Sequence, residues 1–196
     1  MAAGRPVVFL DRDGTLIEEV GYVNHPSRVR LLPGAADAVA RLRAAGQAVV
    51  VVTNQAGIAR GYLPRSLVDA AHAELERQLA AHGTRVDGIY LCPHHPTEGV
   101  GELRVACDCR KPGSGLLRTA AAELGLDLAR AAIVGDVPSD IAAGSAVGAR
   151  TVLVLTGLGR GEWEYRRAQF AVEPDHVCED LAAAAAWILD GVPAPC

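Results

Sequence analysis

Five strand-length runs, Val7–Leu10, Ala48–Val52, Val86–Leu91, Ala131–Val134 and Thr151–Leu155, are apolar at nearly every position. A strand with one wet face alternates polar and apolar residues, so a run that does not alternate must be covered on both faces. Longer segments with helical periodicity separate these runs. Ala35–Ala45 is ended by Gly46 and Gly115–Leu124 by Gly125, while Leu67, Ala71, Leu75 and Leu79 recur at helical spacing within Leu63–Ala81. Further helices are expected at Ile141–Val147 and near Asp180–Leu189. Strands alternating with helices require right-handed crossovers and parallel pairing. The predicted fold is α/β: a single Rossmann-like, doubly wound parallel sheet with helices on both faces. One domain over residues 1–196 is expected, without a large cap domain.

Composition narrows the classes of function. With 196 residues, half of them hydrophobic, the chain can bury a substantial core. A net charge of −4 argues against broad nucleic-acid binding, which needs a basic surface. The N-terminal residues lead at once into an apolar run without the layout of a signal peptide. No apolar stretch approaches the roughly 20 residues that span a bilayer. The expectation is a cytoplasmic protein with no membrane or nucleic-acid partner, and a monomer by default.

In a sheet of this kind, ligands bind beyond the carboxyl ends of the strands. Three polar clusters follow the apolar runs: Asp11-Arg12-Asp13, Thr53-Asn54-Gln55 and Gly135-Asp136. Asp11 and Asp13 are two residues apart, so both side chains can point the same way as the strand ends. Gly14 lets the chain turn, and Thr15 is placed to hydrogen-bond the carboxylates. Two crowded carboxylates repel unless a cation or proton lies between them, and magnesium suits an all-oxygen site. Asp11 could attack phosphorus, while Asp13 could protonate the leaving oxygen and then activate water. Thr53 and Asn54 offer donors to phosphate oxygens, and Lys111 a fixed cation. Asp136 supplies another magnesium ligand, with Asp140 near it on the first turn of a helix. Each residue alone has a bland reading: a turn, a solvated charge, a helix-start acid. Their joint occurrence at strand ends favours phosphoryl transfer.

The series Asp11-Arg12-Asp13-Gly14-Thr15, Thr53-Asn54, Lys111 and Gly135-Asp136-x-x-x-Asp140 resembles the four motifs of the haloacid dehalogenase superfamily of phosphatases. The resemblance implies Asp11 as nucleophile and Asp13 as general acid/base. It implies magnesium held by Asp11, the Asp13 carbonyl and Asp136, with Thr53 and Lys111 on the phosphoryl group.

A second metal signal lies between the third apolar run and Lys111. Cys92-Pro93-His94 and Cys107-Asp108-Cys109 form two ligand pairs. A Cys3His set favours tetrahedral zinc, in a structural role because all four positions come from protein. Zinc held by Cys92, His94, Cys107 and Cys109 would staple the loop 92–109 and steady Arg110 and Lys111, with His95 an alternative to His94. Buried hydrophobic cysteines are the plainer reading. Cys178 and Cys196 have no evident partners.

A closer resemblance runs from about Val7 to Gly157. Gly21-Tyr22-Val23, the segment from Thr53 to Gly61, Cys92-Pro93-His94-His95-Pro96 and Cys107-Asp108-Cys109-Arg110-Lys111-Pro112 are similar to the heptose-bisphosphate 7-phosphatase family. This implies a small phosphorylated sugar as substrate, gripped by Glu19, Val20, Gly21 and Tyr22 together with Thr53, Asn54 and Gln55. Arg110 matches the family's substrate-recognition arginine, which suits a second phosphate. One departure is Val137, where the family often carries a basic residue. Arg160, Arg166 and Arg167 match nothing and read as a solvated face. Histidinol-phosphate phosphatases share the catalytic motifs and a similar zinc loop, and form the alternative. Arg110 and the fit around Gly21-Tyr22 favour the heptose substrate. Acidic charge disfavours a nucleic-acid 3′-phosphatase, and the carboxylates with Lys111 disfavour a noncatalytic zinc-stapled binding protein.

Overall fold

The computed structural model describes residues 4–191, so Cys196 lies outside the described residues. Among the described residues, six strands and seven α-helices follow in chain order. They are β1 (Arg5–Leu10), α1 (Ala35–Ala44), β2 (Ala48–Asn54), α2 (Ala56–Ala59), α3 (Arg65–Ala81), β3 (Gly88–Cys92), α4 (Gly115–Leu124), β4 (Leu126–Gly135), α5 (Pro138–Ser145), β5 (Arg150–Val154), α6 (Gly159–Arg166), β6 (His176–Cys178) and α7 (Leu181–Asp190). The strands form one parallel sheet in the order β3-β2-β1-β4-β5-β6. No helix among the described residues is long and apolar enough to cross a membrane.

The unbroken apolar strands are explained by two separate cores. Val8, Leu10, Val49, Val51 and Val134 face α1, α3 and α7, while Val7, Phe9, Val50, Val52 and Ile133 face α4 and α5. Neighbouring strand residues point to opposite faces, and both faces are dry. The chain leaves β1 toward β2 on one side and later returns through β4 on the other. This makes the β1/β4 boundary the switch point, where a crevice opens at the carboxyl edge.

Several boundaries depart from the sequence reading. The buried stripe of α3 is Val68, Ala71, His72, Leu75 and Leu79. Leu67 is only half-buried, because the helix begins after Pro64 and turns the neighbouring Val68 inward. Helix α5 starts at Pro138 rather than Ile141: proline stands at the first turn, where its missing N–H costs nothing. Strand β4 begins at Leu126 rather than Ala131, its first residues pairing with Arg5 and Pro6 before a register shift. Strand β6 is too short to announce itself, and is held by pairing of His176, Val177 and Cys178 with β5. The arginine-rich segment contains α6, where Arg160 pairs with Glu164 and Glu179 and Arg166 with Glu162, and just beyond it Arg167 pairs with Glu173. Apart from the mostly buried Glu162, these partners are exposed and form a solvated face.

Candidate active site and metal centres

The switch point gathers charged side chains that the sheet leaves almost no water to solvate. Asp11 is the first residue beyond β1, and its N–H donates to the Val134 carbonyl (2.9 Å), which extends the pairing with β4. Asp136 stands directly after β4, and Asp140 lies on the first turn of α5 with no solvent exposure. Carboxylate oxygens of Asp11, Asp136 and Asp140 can all lie within 4.8 Å of one another. Two glycines make this crowding possible. Gly14 turns the chain at φ +79°, and a Cβ there would overlap the Asp136 carboxylate; a Cβ on Gly135 would overlap that of Asp140.

One cation sits among these acids. Lys111 Nζ donates to Asp11 Oδ1 (2.6 Å) and to the Val52 carbonyl (2.7 Å), and it lies 2.7 Å from Asp140 Oδ1 as an ion pair. Burial disfavours the ammonium, but Asp11 and Asp140 outweigh it and raise the Lys111 pKa. The excess of acid shows in the carboxyl groups. Burial, reinforced by Asp11 and Asp140, pushes Asp136 up to about 8. Burial likewise pushes Asp140 up to about 6 against the pull of Lys111. Three carboxylates balanced by one ammonium leave a deficit of positive charge that a divalent cation with oxygen ligands fits. Asp136 Oδ2 already accepts from the Leu158 N–H (2.8 Å).

Asn54, expected to face phosphate, makes both its side-chain bonds to the Lys111 backbone, donating to its carbonyl and accepting from its N–H at 3.0 Å each. It fixes the lysine. Gln55 Nε2 donates to Thr53 Oγ1 (2.8 Å) and to Asp13 Oδ2 (3.0 Å). With that oxygen accepting from Gln55, the Thr53 hydroxyl keeps its own proton to give. Burial raises the Asp13 pKa, and Arg12 opposes it through a two-point contact on the same carboxylate. Thr15 departs from expectation: past the Gly14 turn it is fully buried, and its hydroxyl has no hydrogen-bond partner.

The loop after β1 supplies one wall. Glu19, Gly21 and Tyr22 line the same cavity as Asp11, Asp13, Thr53 and Lys111. Burial raises the Glu19 pKa, and its carboxylate accepts from the Gly21 N–H (2.5 Å). Val20 instead turns away and packs on the core beneath. Val137 and Leu158 give the opposite wall an apolar rim. Arg110 reaches the His94 carbonyl at 3.4 Å and is not part of the cavity wall.

Cys92, His94, Cys107 and Cys109 converge as the second cluster. The sulfurs are 2.9 Å (Cys107–Cys109), 3.1 Å (Cys92–Cys109) and 3.5 Å (Cys92–Cys107) apart, with His94 Nδ1 3.2 and 3.3 Å from Cys107 and Cys109. Burial raises the Cys92 and Cys109 thiols, whereas at Cys107 hydrogen bonds from the other two overcome burial and lower it. Such a set cannot carry three thiolates unaided, and its donors fit zinc. His95 is turned elsewhere. Its Nδ1 accepts from the N–H groups of Thr97 and Glu98, and its Nε2 faces Arg60 and Glu98 rather than the sulfurs.

Sequence reading missed Arg60, at the end of α2. Its guanidinium donates to the Tyr22 hydroxyl, pairs with Glu98 and lies 3.3 Å from His95 Nε2. The Tyr22 ring packs against Gly57, where a Cβ would come within 2.8 Å of it. The cavity wall and the cysteine loop are thus joined through one side chain. The only signal for this was the position of Arg60 in a glycine-flanked segment following a strand.

The fold and this charge arrangement describe a phosphoryl-transfer class of α/β hydrolase, and a HAD-hydrolase-like family model matches residues 108–184. A Thermosynechococcus vestitus protein named D-glycero-D-manno-heptose-1,7-bisphosphate 7-phosphatase is 43% identical over 188 residues, covering 94% of this chain and 95% of that protein. The Escherichia coli K12 D-glycero-beta-D-manno-heptose-1,7-bisphosphate 7-phosphatase is 43% identical over 158 residues, covering 80% and 83%. The crystal structure of D,D-heptose 1,7-bisphosphate phosphatase from B. bronchiseptica, complexed with magnesium and phosphate, matches with a TM-score of 0.82 at 39% identity, covering 95% of this chain and 99% of that one. The chain belongs to the heptose-bisphosphate 7-phosphatase family of haloacid dehalogenase-like hydrolases.

The raised Asp136 pKa has a measurable consequence. Without a divalent cation, its protonated carboxyl contributes stability that is complete below about pH 3.8 and lost as the pH rises through about 8. In magnesium-free buffer the Tm is expected to fall between about pH 6 and about pH 9, and added magnesium to raise it more at the higher pH. An equal magnesium shift at both values would contradict the carboxylate count.

Proposed function

We propose that this protein removes the 7-phosphate of D-glycero-D-manno-heptose 1,7-bisphosphate through an aspartyl-phosphate on Asp11, with magnesium as cofactor. The observation that carries the reading is the buried group of Asp11, Asp136 and Asp140 around Lys111 at the switch point. The heptose assignment is supported by relatives at 43% identity whose names specify that substrate.

Magnesium would be held by the Asp11 and Asp136 carboxylates with the Asp13 main-chain carbonyl, and when bound it neutralises charge on the phosphoryl oxygens. Asp11 attacks phosphorus as the bond to the C7 oxygen breaks, and Asp13 gives that oxygen its proton. Asp13 then takes a proton from water, whose oxygen attacks phosphorus. Inorganic phosphate leaves and the Asp11 carboxylate is restored. Lys111 and the Thr53 hydroxyl donate to the equatorial oxygens, where charge gathers in a loose transition state. Glu19, Gly21 and Tyr22 guide the sugar, and Arg110 swings from its long contact with His94 to meet the distal phosphate. Zinc on Cys92, His94, Cys107 and Cys109 staples the loop that delivers Arg110 and Lys111.

Phosphate release from both anomers of the heptose bisphosphate, with magnesium, tests the substrate directly. Asp11→Asn is expected to reduce kcat by at least about a thousandfold. Turnover that survives this change would remove Asp11 as nucleophile. Arg110→Ala should raise KM for the bisphosphate about tenfold, and for a matching monophosphate less than about twofold. Equal changes would take the arginine off the distal phosphate. Cys107→Ser should lose bound zinc by elemental analysis and lower the Tm. A variant with full zinc content and an unchanged Tm would exclude Cys107 as a ligand.

A further inference from the structure

We propose that Arg12 and His72 form a buried strut that positions the Asp13 carboxyl for proton transfer. The inference rests on the phosphatase reading above and deepens it. Arg12 is 2% exposed, one of the largest side chains buried in the protein. A guanidinium in such a place is strongly destabilising unless its donors are matched. Arg12 Nε meets Asp13 Oδ2 and Nη2 meets Oδ1, both at 3.0 Å, and Nη2 also lies 2.8 Å from Oδ2, so the guanidinium holds both carboxylate oxygens. Gln55 adds a third donor to Oδ2. The far side of the guanidinium is closed by His72, whose Nε2 lies 3.0 Å from Nη1.

His72 is the one polar member of the buried stripe of α3, among Val68, Ala71, Leu75 and Leu79. Arginine has no lone pair to offer, so this contact is a hydrogen bond only if Nε2 is bare and the ring proton sits on Nδ1. Burial and the Arg12 charge lower the His72 pKa to about 4, against the weaker pull of Asp69, which keeps the ring neutral. A leucine at position 72 would fill the stripe equally well, and an apolar residue at 12 would avoid burying a charge. What the pair adds is a rigid connection from a long helix to one carboxylate, whose rotation about its last bond is stopped at both oxygens. Both residues act through Asp13, so both are positioning residues.

The strut matters where a proton must reach the leaving oxygen, and little where it need not. For His72→Leu acting on the heptose bisphosphate, kcat is expected to fall about tenfold or more with KM within about twofold, since correctly placed acid–base catalysis supplies about 10²–10⁴. With p-nitrophenyl phosphate, whose phenolate departs without a proton, kcat/KM should fall less than about threefold. His72→Gln, whose Oε1 can accept from Arg12, should recover kcat on the sugar phosphate to within about threefold of wild type. Equal losses on both substrates, a loss confined to KM, or a Gln variant no better than Leu would each overturn the strut. Should His72→Leu not fold, Arg12→Lys keeps the charge but not the two-point grip. It must then show the same kcat loss on the sugar phosphate at unchanged KM, and an unaltered kcat would overturn the proposal. A wild-type protein that releases phosphate from neither substrate would defeat the phosphatase reading itself, and the strut with it.

Discussion

The structure of the site depends on one buried ammonium. Lys111 is 3% exposed and lies between Asp11, which is 8% exposed, and Asp140, which is wholly enclosed. Removing these groups from water carries a desolvation penalty that only opposite charge at short range can offset. The lysine therefore does more than wait for a ligand: it lets β1 and α5 bring their acids together at all. Its third partner, the Val52 carbonyl, ties it to β2, so three elements on both sides of the switch point converge on one nitrogen. Asn54 completes the arrangement by gripping the lysine's backbone from the end of the same strand.

That geometry divides the protein by task. Asp11, Asp13, Thr53 and Asp136 stand on or just beyond strand ends, where the sheet holds them rigidly. The cavity wall above them is built by Glu19, Gly21 and Tyr22 of the loop after β1, while Lys111 reaches in from the segment between β3 and α4. The division follows from the fold, since a parallel sheet can bring residues distant in sequence to one edge but cannot build a wall above it.

The sheet and the acid cluster were legible in the sequence for a common reason. Val7–Leu10 and Ala131–Val134, short apolar runs alternating with longer helical patterns, read as doubly buried strands, and the residues that follow such strands emerge at one edge. The Cys3His cluster was legible because metal ligands come in close pairs. The orientation of polar side chains within hydrogen-bond reach of several partners was not legible. Asn54 lines the cavity but also holds the Lys111 backbone, Thr15 turned inward, and Val20 packed downward. Choosing His94 over His95 required knowing which ring faced the sulfurs. Arg12 and Arg60 were invisible as organising groups because each acts through a contact some forty or more positions away or through an immediate neighbour, and spacing rules address neither. Arg12 meets His72, and Arg60 meets Tyr22 and Glu98.

The Arg60 bridge also bears on how such a site can change over generations. Tyr22, Arg60, His95 and Glu98 belong to three separate stretches of chain, yet their side chains share one set of contacts. A replacement at any one alters the background in which the others are selected, so their effects combine epistatically rather than summing. Recombination between distant relatives preserves a working rim only when it exchanges the β1 loop, α2 and the cysteine segment together. The acid cluster beneath can meanwhile pass unchanged from one lineage to the next.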